Sequence, residues 1–208
     1  MAKTFSSFII TSGRKDITMA KNKVVFGVSK LHFGTYTVSD QGVVTLGTPY
    51  HLPGTVNISL EPESEKNTFY ADNVTYWSTY SDNGYSGEIE NALFPAGFKT
   101  QFMNYVELDD GGIGQIKGKQ NKKVYIMFQA EGDEEAGRMI LYNCSLGQIT
   151  REYSTTEDST EAKTAKLPFT VDGDNGTGLS RVGYAPSSAT YDTMFTTPPV
   201  PALPAQSQ

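Results

Sequence analysis

A pair of glutamates is the feature of this chain with the best spacing for catalysis. Glu88 and Glu90 stand in the run Gly87-Glu88-Ile89-Glu90-Asn91. On an extended strand, residues two apart project from the same face, so the two carboxyl groups would lie side by side. Glycoside hydrolases cleave sugars with such pairs, in which one carboxyl acts as the acid and the other as base or nucleophile.

The residues that follow this pair argue against that chemistry. The run resembles the Glu-Ile-Asp-x-x-Glu motif of endo-β-glucanases, but Ala92, Leu93 and Phe94 come next, so the second essential glutamate is missing. A sugar cleft also needs several tryptophans, and Trp77 is the only one in the chain. A solvated or interface strand face is the preferred interpretation, and a carbohydrate-binding or glucanase-like β-sandwich is kept as the alternative function.

Metal and phosphate sites are disfavoured by their missing ligands. Residues 172–178 begin like a calcium loop, but the twelfth position, which requires a bidentate glutamate, is Gly183. The glycine-rich run 111–114 lacks the Lys-Ser/Thr that grips phosphate. With Cys144 as the single cysteine and only two histidines, a cysteine cluster or a three-histidine zinc site is excluded. We expect a tight turn at 172–176, an inert packed thiol at Cys144, and no cofactor.

A short basic run is the one concentration of positive charge. It consists of Lys117, Lys119, Lys122 and Lys123. Such a run can hold phosphates, although in an acidic chain it is more typical of a solvated hairpin tip. The net charge of −6 and the isoelectric point near 4.9 disfavour a general nucleic-acid-binding role.

The size and composition of the chain predict one large domain, or one domain with long arms. It has 208 residues, of which 38% are hydrophobic and 19% charged, and a chain of this length can bury a core without disulfides or metals. The longest early apolar run, residues 8–10, is too short for a signal peptide or a membrane span. We therefore expect synthesis in a cytoplasm and no membrane association. Residues 19–21 repeat Met-Ala-Lys of residues 1–3, which leaves two possible starts open.

Alternation with a period of two dominates the chain after Val24 and predicts strands. Ile89 alternates with Glu88 and Glu90, and residues 124–130 alternate in the same way. Turn residues at 39–42, 81–84 and 172–176 separate such runs, which favours an antiparallel sandwich or barrel. Phenylalanines spaced four apart instead predict one short helix over residues 94–104, with Pro95 in its first turn: Phe94, Phe98 and Phe102.

The composition also predicts three parts along the chain. Residues 1–21 form a flexible N-terminal arm or extension, residues 22–185 the β domain, and residues 186–208 a C-terminal arm. The last part carries half of the ten prolines, which favours extended polyproline geometry. Residues 154–166 are polar without an apolar period and predict a long solvated loop.

Several segments stand in an order typical of one family. Along the chain they read Asn22-Lys23-Val24-Val25-Phe26-Gly27-Val28, Leu52-Pro53-Gly54-Thr55-Val56, Phe69-Tyr70-Ala71-Asp72-Asn73, Asn83-Gly84-Tyr85-Ser86-Gly87-Glu88-Ile89-Glu90, Leu93-Phe94-Pro95, Glu131-Gly132-Asp133 and Arg138-Met139-Ile140-Leu141-Tyr142-Asn143-Cys144. Tyr-Ala-Asp-Asn and Gly-Tyr-Ser-Gly-Glu are the specific parts. Over about residues 20–185 the chain resembles the major tail (tail tube) proteins of siphophages, the long, non-contractile-tailed phages, of Gram-positive hosts. Residues 104–118 depart from the family pattern.

This resemblance implies both a fold and a role. The fold is mainly β, an antiparallel β-sandwich or barrel of the phage tail-tube type with one short α-helix and extended N- and C-terminal arms. The role is that of a structural virion protein, not an enzyme, whose hexameric rings stack into the tail tube that delivers DNA to the host. Implied partners are other copies, a tape measure protein inside the tube, and tail terminator and distal tail proteins at its ends. Such a protein is located in the virion and is assembled in the cytoplasm of the host bacterium.

Three groups of residues are candidates for contacts in such a tube. Glu88 and Glu90 are candidates for the lumen, which DNA passes without specific binding. A loop around residues 61–73 is expected to reach the next ring, because its charges and Pro62 exclude a core strand; its candidates are Glu61, Glu63, Glu65 and Lys66. The four lysines are expected on the outer surface or between rings, since lysines in the lumen would hold the DNA.

Overall fold

The computed structural model describes residues 25–132, 134–153 and 163–204, which form an antiparallel β fold with one short helix. The mainly β fold class expected from the sequence is therefore confirmed. The strands are β1 (Val25–Val38), β2 (Val44–Leu46), β3 (Tyr50–His51), β4 (Thr55–Ala71), β5 (Val74–Asn91), β6 (Tyr105–Glu107), β7 (Ile113–Gln115), β8 (Val124–Gly132), β9 (Gly137–Leu146), β10 (Thr150–Arg151), β11 (Ala165–Val171) and β12 (Arg181–Tyr184), and the helix is α1 (Ala96–Phe102).

One large antiparallel sheet organises these strands. Its order is β2-β1-β8-β9-β11-β5-β4, with β3 paired to β1, β12 to β9 and β10 to β11. Strands β6 and β7 form a separate small hairpin. Although β1 is second in this order and β4 is last, the two strands also pack along each other. The sheet therefore curls like a barrel around its core.

The helix closes one side of that core. It begins at Ala96 and ends at Phe102, and Phe98 and Phe102 are completely buried. The ring of Phe98 meets the ring of Phe33 edge-on with centroids 4.8 Å apart. The expected helix is confirmed, but it is shorter than the predicted 94–104. Its N-cap residue Pro95 (ψ 158°) and its C-cap residue Met103 both have extended backbone, so the helix ends at these residues.

A second apolar cluster lies on the other face of β1, β8 and β9. Its buried residues are Tyr36, Tyr125, Met127, Ile140, Tyr142 and Met194. Met194 comes from the chain beyond β12, so the C-terminal part covers a sheet face that would otherwise meet solvent. For this reason residues 124–129 are buried on both faces of β8, where the sequence pattern predicted a half-buried strand.

Residues 186–204 fold back on the domain in a series of turns. The hydroxyl of Tyr142 donates to the carbonyl of Pro199 (2.8 Å), and the hydroxyl of Tyr191 donates to the carbonyl of Ala136 (2.8 Å). The guanidinium of Arg138 lies 3.9 Å from the centre of the Tyr191 ring. The division of the chain at residues 22–185 and 186–208 stays a prediction, and the N-terminal arm (1–21) lies outside the described residues.

Local predictions have mixed outcomes. The turn at 39–42 is present, with the Gly42 N–H donating to the Ser39 carbonyl (2.8 Å). The turn expected at 81–84 is wrong, because these residues lie inside β5. The loop expected over 154–166 is wrong at its end, where Ala165 and Lys166 begin β11; residues 154–162 lie outside the described residues.

Candidate functional site

The most unusual feature of the surface is a long two-stranded projection. Strands β4 and β5 pair from Thr55/Asn91 to Ala71/Val74, but β11 flanks β5 only between Tyr85 and Asn91. Beyond Tyr85 the pair continues without a third strand. We name residues 63–84 the hairpin arm; at 3.3 Å per residue it extends roughly 30 Å from the sheet.

A tight turn ends the arm. Asp72 and Asn73 both have positive φ (50° and 62°), and Ala71 pairs directly with Val74. Two residues in this conformation form a type I′ turn, whose twist matches that of the flanking strands. Asp and Asn are among the residues that tolerate positive φ, so this specific part of the sequence motif builds the tip.

The loop expected at 61–73 is wrong, because residues up to Ala71 belong to β4. Charged residues exclude a buried strand, but this two-stranded ribbon is exposed on both faces. Its charged side chains therefore stay in contact with water and are not desolvated. Pro62 is accommodated because β4 is an edge strand, and its missing N–H faces the unpaired side. Glu61, Glu63, Glu65 and Lys66 are accordingly exposed strand residues, not loop residues.

A bulge at the base of the arm redirects it. Pro62 pairs with Tyr85 while Ser64 pairs with Asp82, so β5 contains one extra residue at this point. Gly84 supplies the positive φ (87°) that such a bulge needs. A Cβ on Gly84 would come within 2.2 Å of the Val171 carbonyl oxygen, at the residue where β11 ends.

The arm carries both carboxylates and aromatic rings. Glu61, Glu63 and Glu65 alternate along β4 and therefore share one face. Nearer the tip, Phe69 lies opposite Trp77, and both are more than half exposed. Further exposed rings belong to Tyr76 and Tyr80. The arm thus presents carboxylates and aromatic rings to solvent together.

Glu88 and Glu90 lie side by side on the outer face of the sheet, as their spacing predicts. Ile89 between them points into the core and is fully buried. Lys166 Nζ lies 3.0 Å from Glu88 Oε1, and Thr164 Oγ1 donates to Glu90 Oε1 (2.5 Å). The hydrogen bond with Glu88 raises the pKa of Lys166. Both carboxylates thus have partners on an open, polar strand face.

The basic run lines a polar cavity. We name residues 116–123 the basic loop; it connects β7 to β8, and the hairpin tip expected here is wrong, because these two strands do not pair. The loop is anchored by the Lys122 N–H donating to the Phe102 carbonyl (3.0 Å) and by Asn121 Nδ2 donating to the Leu146 carbonyl (2.8 Å). The cavity measures about 750 Å³, and among its lining residues are Lys117, Lys119, Lys123, Asn104, Gln115 and Gln148.

Only one of the four lysines has a carboxylate partner in the described part of the chain. Lys123 pairs with Asp172 and donates to Ser145 Oγ (2.5 Å). Lys117, Lys119 and Lys122 form no ion pair with another described residue. Their charge is therefore presented to solvent.

The calcium-like run at 172–178 is held by the protein itself. Tyr36 donates its hydroxyl to Asp174 Oδ1 (2.6 Å), and the Thr177 N–H donates to Asp174 Oδ2 (2.6 Å). Burial raises the pKa of Asp174, but these hydrogen bonds outweigh it and hold the pKa below its usual value. The tight-turn interpretation is confirmed.

Cys144 is fully buried, and burial raises the pKa of its thiol, so it packs as a small apolar residue. In the described ranges, no group of three or more His, Cys, Asp or Glu side chains is arranged to hold a metal. Within the same ranges, no helix is both long and apolar enough to cross a membrane.

Comparison with protein-family profiles and with curated protein sequences finds no match. Among solved structures, the fold is similar to a chain of the PVC extracellular contractile injection system, in its sheath–tube complex in the extended state. That similarity has a TM-score of 0.44 at 12% identity and covers 75% of this chain and 88% of the other. A chain of the anti-feeding prophage cap, the AFP tube terminating cap, has the same TM-score and identity and covers 82% and 99%.

Proposed function

We propose that this chain is a structural subunit of a phage tail tube, in which hexameric rings stack into a hollow tube that delivers DNA. The hairpin arm is the observation that carries the proposal. A two-stranded hairpin is marginally stable alone in water, yet this arm exposes Phe69 and Trp77 in addition to its unpaired edges. Another copy of the chain that packs on the arm would remove both liabilities.

The remaining surfaces fit the same role. Glu88 and Glu90 lie on an open, polar sheet face, which suits a wall of the lumen that does not bind phosphates. The basic loop is placed outside the lumen, at a contact between rings. The specific sequence motifs support the proposal as well, because Tyr-Ala-Asp-Asn builds the tip of the arm and Gly-Tyr-Ser-Gly-Glu its base. A tape measure protein, tail terminator and distal tail proteins complete the proposed assembly in the virion, built in the host cytoplasm.

The test is a shortened arm. Ser64 and Asp82 are paired partners, so residues 65–81 are replaced by an Asn-Gly turn, which two strands in this register accept. A deletion of residues 63–67 alone would misalign the two strands and is the wrong variant. We expect the full chain to form rings or tubes in negative-stain electron microscopy, and the shortened chain to remain a folded monomer.

Two results would reject this proposal. One is a full chain that stays monomeric at every concentration in light scattering and microscopy. The other is a shortened chain that forms tubes like those of the full chain. Circular dichroism of the shortened chain verifies that the β domain is still folded.

The alternative, a glucanase-like sandwich, has its own assay. Because Glu88 is ion-paired and Glu90 is hydrogen-bonded on an open face, we propose that neither takes part in hydrolysis. No turnover of β-glucan or chitin is expected. Turnover that Glu88→Gln abolishes would favour the alternative function.

A further inference from the structure

Two surfaces of this chain carry opposite charge. Residues 61–84, the arm and its base, contain five carboxylates and a single lysine, Lys66. The basic loop contains four lysines and no acidic residue. In the described part of the chain, Glu61, Glu63 and Glu65 form no ion pair, as is also true of Lys117, Lys119 and Lys122. The opposite charges are left unpaired within one copy.

The sheet register sends the arm and the basic loop in opposite directions from one row of paired residues. One row of paired residues crosses four neighbouring strands, β5, β11, β9 and β8. From β5 to β8 it consists of Tyr85, Val171, Cys144 and Val124. All neighbouring strands in this row are antiparallel, so β5 and β8 run in opposite directions. Along the chain, the arm comes just before Tyr85 in β5, and the basic loop comes just before Val124 in β8. Because β5 and β8 run in opposite directions, the arm and the loop leave the row on opposite sides.

Surfaces that point in opposite directions suit a head-to-tail contact. In such a contact one patch on a copy meets a different patch on the next copy, and the arrangement repeats without limit. A contact of the arm with its own basic loop is disfavoured, because the arm extends away from it. The acidic face of the arm also carries Phe69 and Trp77, whose ring faces attract ammonium groups.

We propose that the hairpin arm of one copy docks on the basic loop of the next copy along the tube. Glu61, Glu63 and Glu65 lie along Lys117, Lys119 and Lys122. This inference rests on the proposed stacking of rings and names the contact that joins them. Exposed ion pairs contribute about 0.2–1 kcal/mol each, so several acting together are needed.

Charge reversal on each side tests the pairing. The loop variant carries Lys117→Glu, Lys119→Glu and Lys122→Glu, and the arm variant carries Glu61→Lys, Glu63→Lys and Glu65→Lys. Each variant alone should raise the critical concentration for tube formation by about ten-fold or more, because attraction becomes repulsion. A chain that combines all six substitutions should return to within about three-fold of the original value.

A mixture gives the sharpest readout. The arm variant has a positive arm and a positive loop, and the loop variant has a negative arm and a negative loop. Neither should assemble alone at a concentration at which the unsubstituted chain does, but an equimolar mixture should, because every contact between unlike copies is then attractive. The matched control carries Asp40→Lys, Glu152→Lys and Asp192→Lys, which change the net charge as the arm variant does at three exposed sites elsewhere. It should assemble like the unsubstituted chain.

Each other outcome has a distinct meaning. If the unsubstituted chain never assembles, the proposed function fails. If it assembles and the reversed variants assemble equally well, or if the mixture and the combined variant are not rescued, the pairing is wrong while the proposed function stands. If the unsubstituted tubes bind duplex DNA in a gel shift and the loop variant does not, the basic loop is a nucleic-acid site and the pairing is overturned. Circular dichroism melts confirm that each variant is folded.

Discussion

At the residue scale, the two histidines lie together under the C-terminal segment. The rings of His32 and His51 have centroids 4.8 Å apart, and Phe195 stacks on His32 at 4.6 Å. His32 Nδ1 lies 2.7 Å from the Lys30 carbonyl oxygen. Burial holds the pKa of His32 below its usual 6.5 despite this hydrogen bond, and the nearby charges of His51 and Lys30 lower it further.

We expect this histidine to make stability fall in mild acid. The unfolded chain binds a proton on His32 near pH 6.5, but the folded chain binds it only at lower pH, so protons favour the unfolded state. The stabilisation is complete above pH 7 and is lost as the pH falls through 6.5 towards the lower folded value. Urea denaturation of the chain and of His32→Gln between pH 7.5 and 5.5 measures this. The variant should have the shallower dependence, and equal slopes would contradict the prediction.

Met194 is one of the residues that attach the C-terminal segment to the domain. It is fully buried in the second apolar cluster. Met194→Ala should lower the free energy of unfolding by about 2–5 kcal/mol, the usual cost of truncating a buried methionine. Leu203→Ala, at an exposed position of the same segment, is the control and should change it by less than about 0.5 kcal/mol. Similar urea midpoints for both variants would show that the segment is not part of the core.

At the scale of elements, the base of the hairpin arm depends on one bulge. Gly84 and Gly42 have similar positive φ (87° and 78°), but only Gly84 faces the Val171 carbonyl, since the space around Gly42 is open. Comparing alanine at the two positions therefore separates the cost of the backbone conformation from the cost of the clash.

We expect Gly42→Ala to destabilise by about 1–2 kcal/mol, the cost of the left-handed conformation alone. Gly84→Ala should cost more, because a contact of 2.2 Å forces the end of β11 away from β5. Thermal melts of both variants measure the difference. If Gly42→Ala is the more damaging of the two, the assignment of the bulge is wrong.

At the scale of the whole molecule, charge decides how a tube of these chains would treat DNA. Each chain carries −6, so six copies make a strongly acidic ring. Duplex DNA in an acidic or neutral lumen is weakly repelled over the roughly 8 Å Debye length at physiological salt. A lumen lined by lysines would hold it instead, through counterion release.

Assembled tubes are therefore expected to leave duplex DNA unshifted in a gel at about 150 mM salt. The control is the Glu88→Lys/Glu90→Lys variant, which places positive charge on the proposed lumen face. Its tubes should retain DNA at low salt and release it as salt rises. A density map with the basic loop on the inner wall would contradict the placement of the lysines.

The sequence alone predicted those features that depend on local pattern. Alternation around Ile89 gave the buried and exposed faces of β5, because side chains on a strand alternate whatever they pack against. The spacing of Phe94, Phe98 and Phe102 likewise predicted the helix. Missing ligands excluded the calcium loop at 172–178, because ligand count is a property of the sequence itself.

Only the tertiary structure decided the features that depend on which strands are neighbours. Residues 61–73 are polar enough for a loop, and they become a strand because β5 continues beside them after β11 has ended. Residues 186–204 are rich in proline, yet Met194 is drawn onto the far face of β8 and buries it. The basic loop and the hairpin arm leave the sheet in opposite directions because the register of four strands sends them there. Local composition does not encode such long-range pairing. The candidate residues could therefore be identified from the sequence, but their arrangement in space could not.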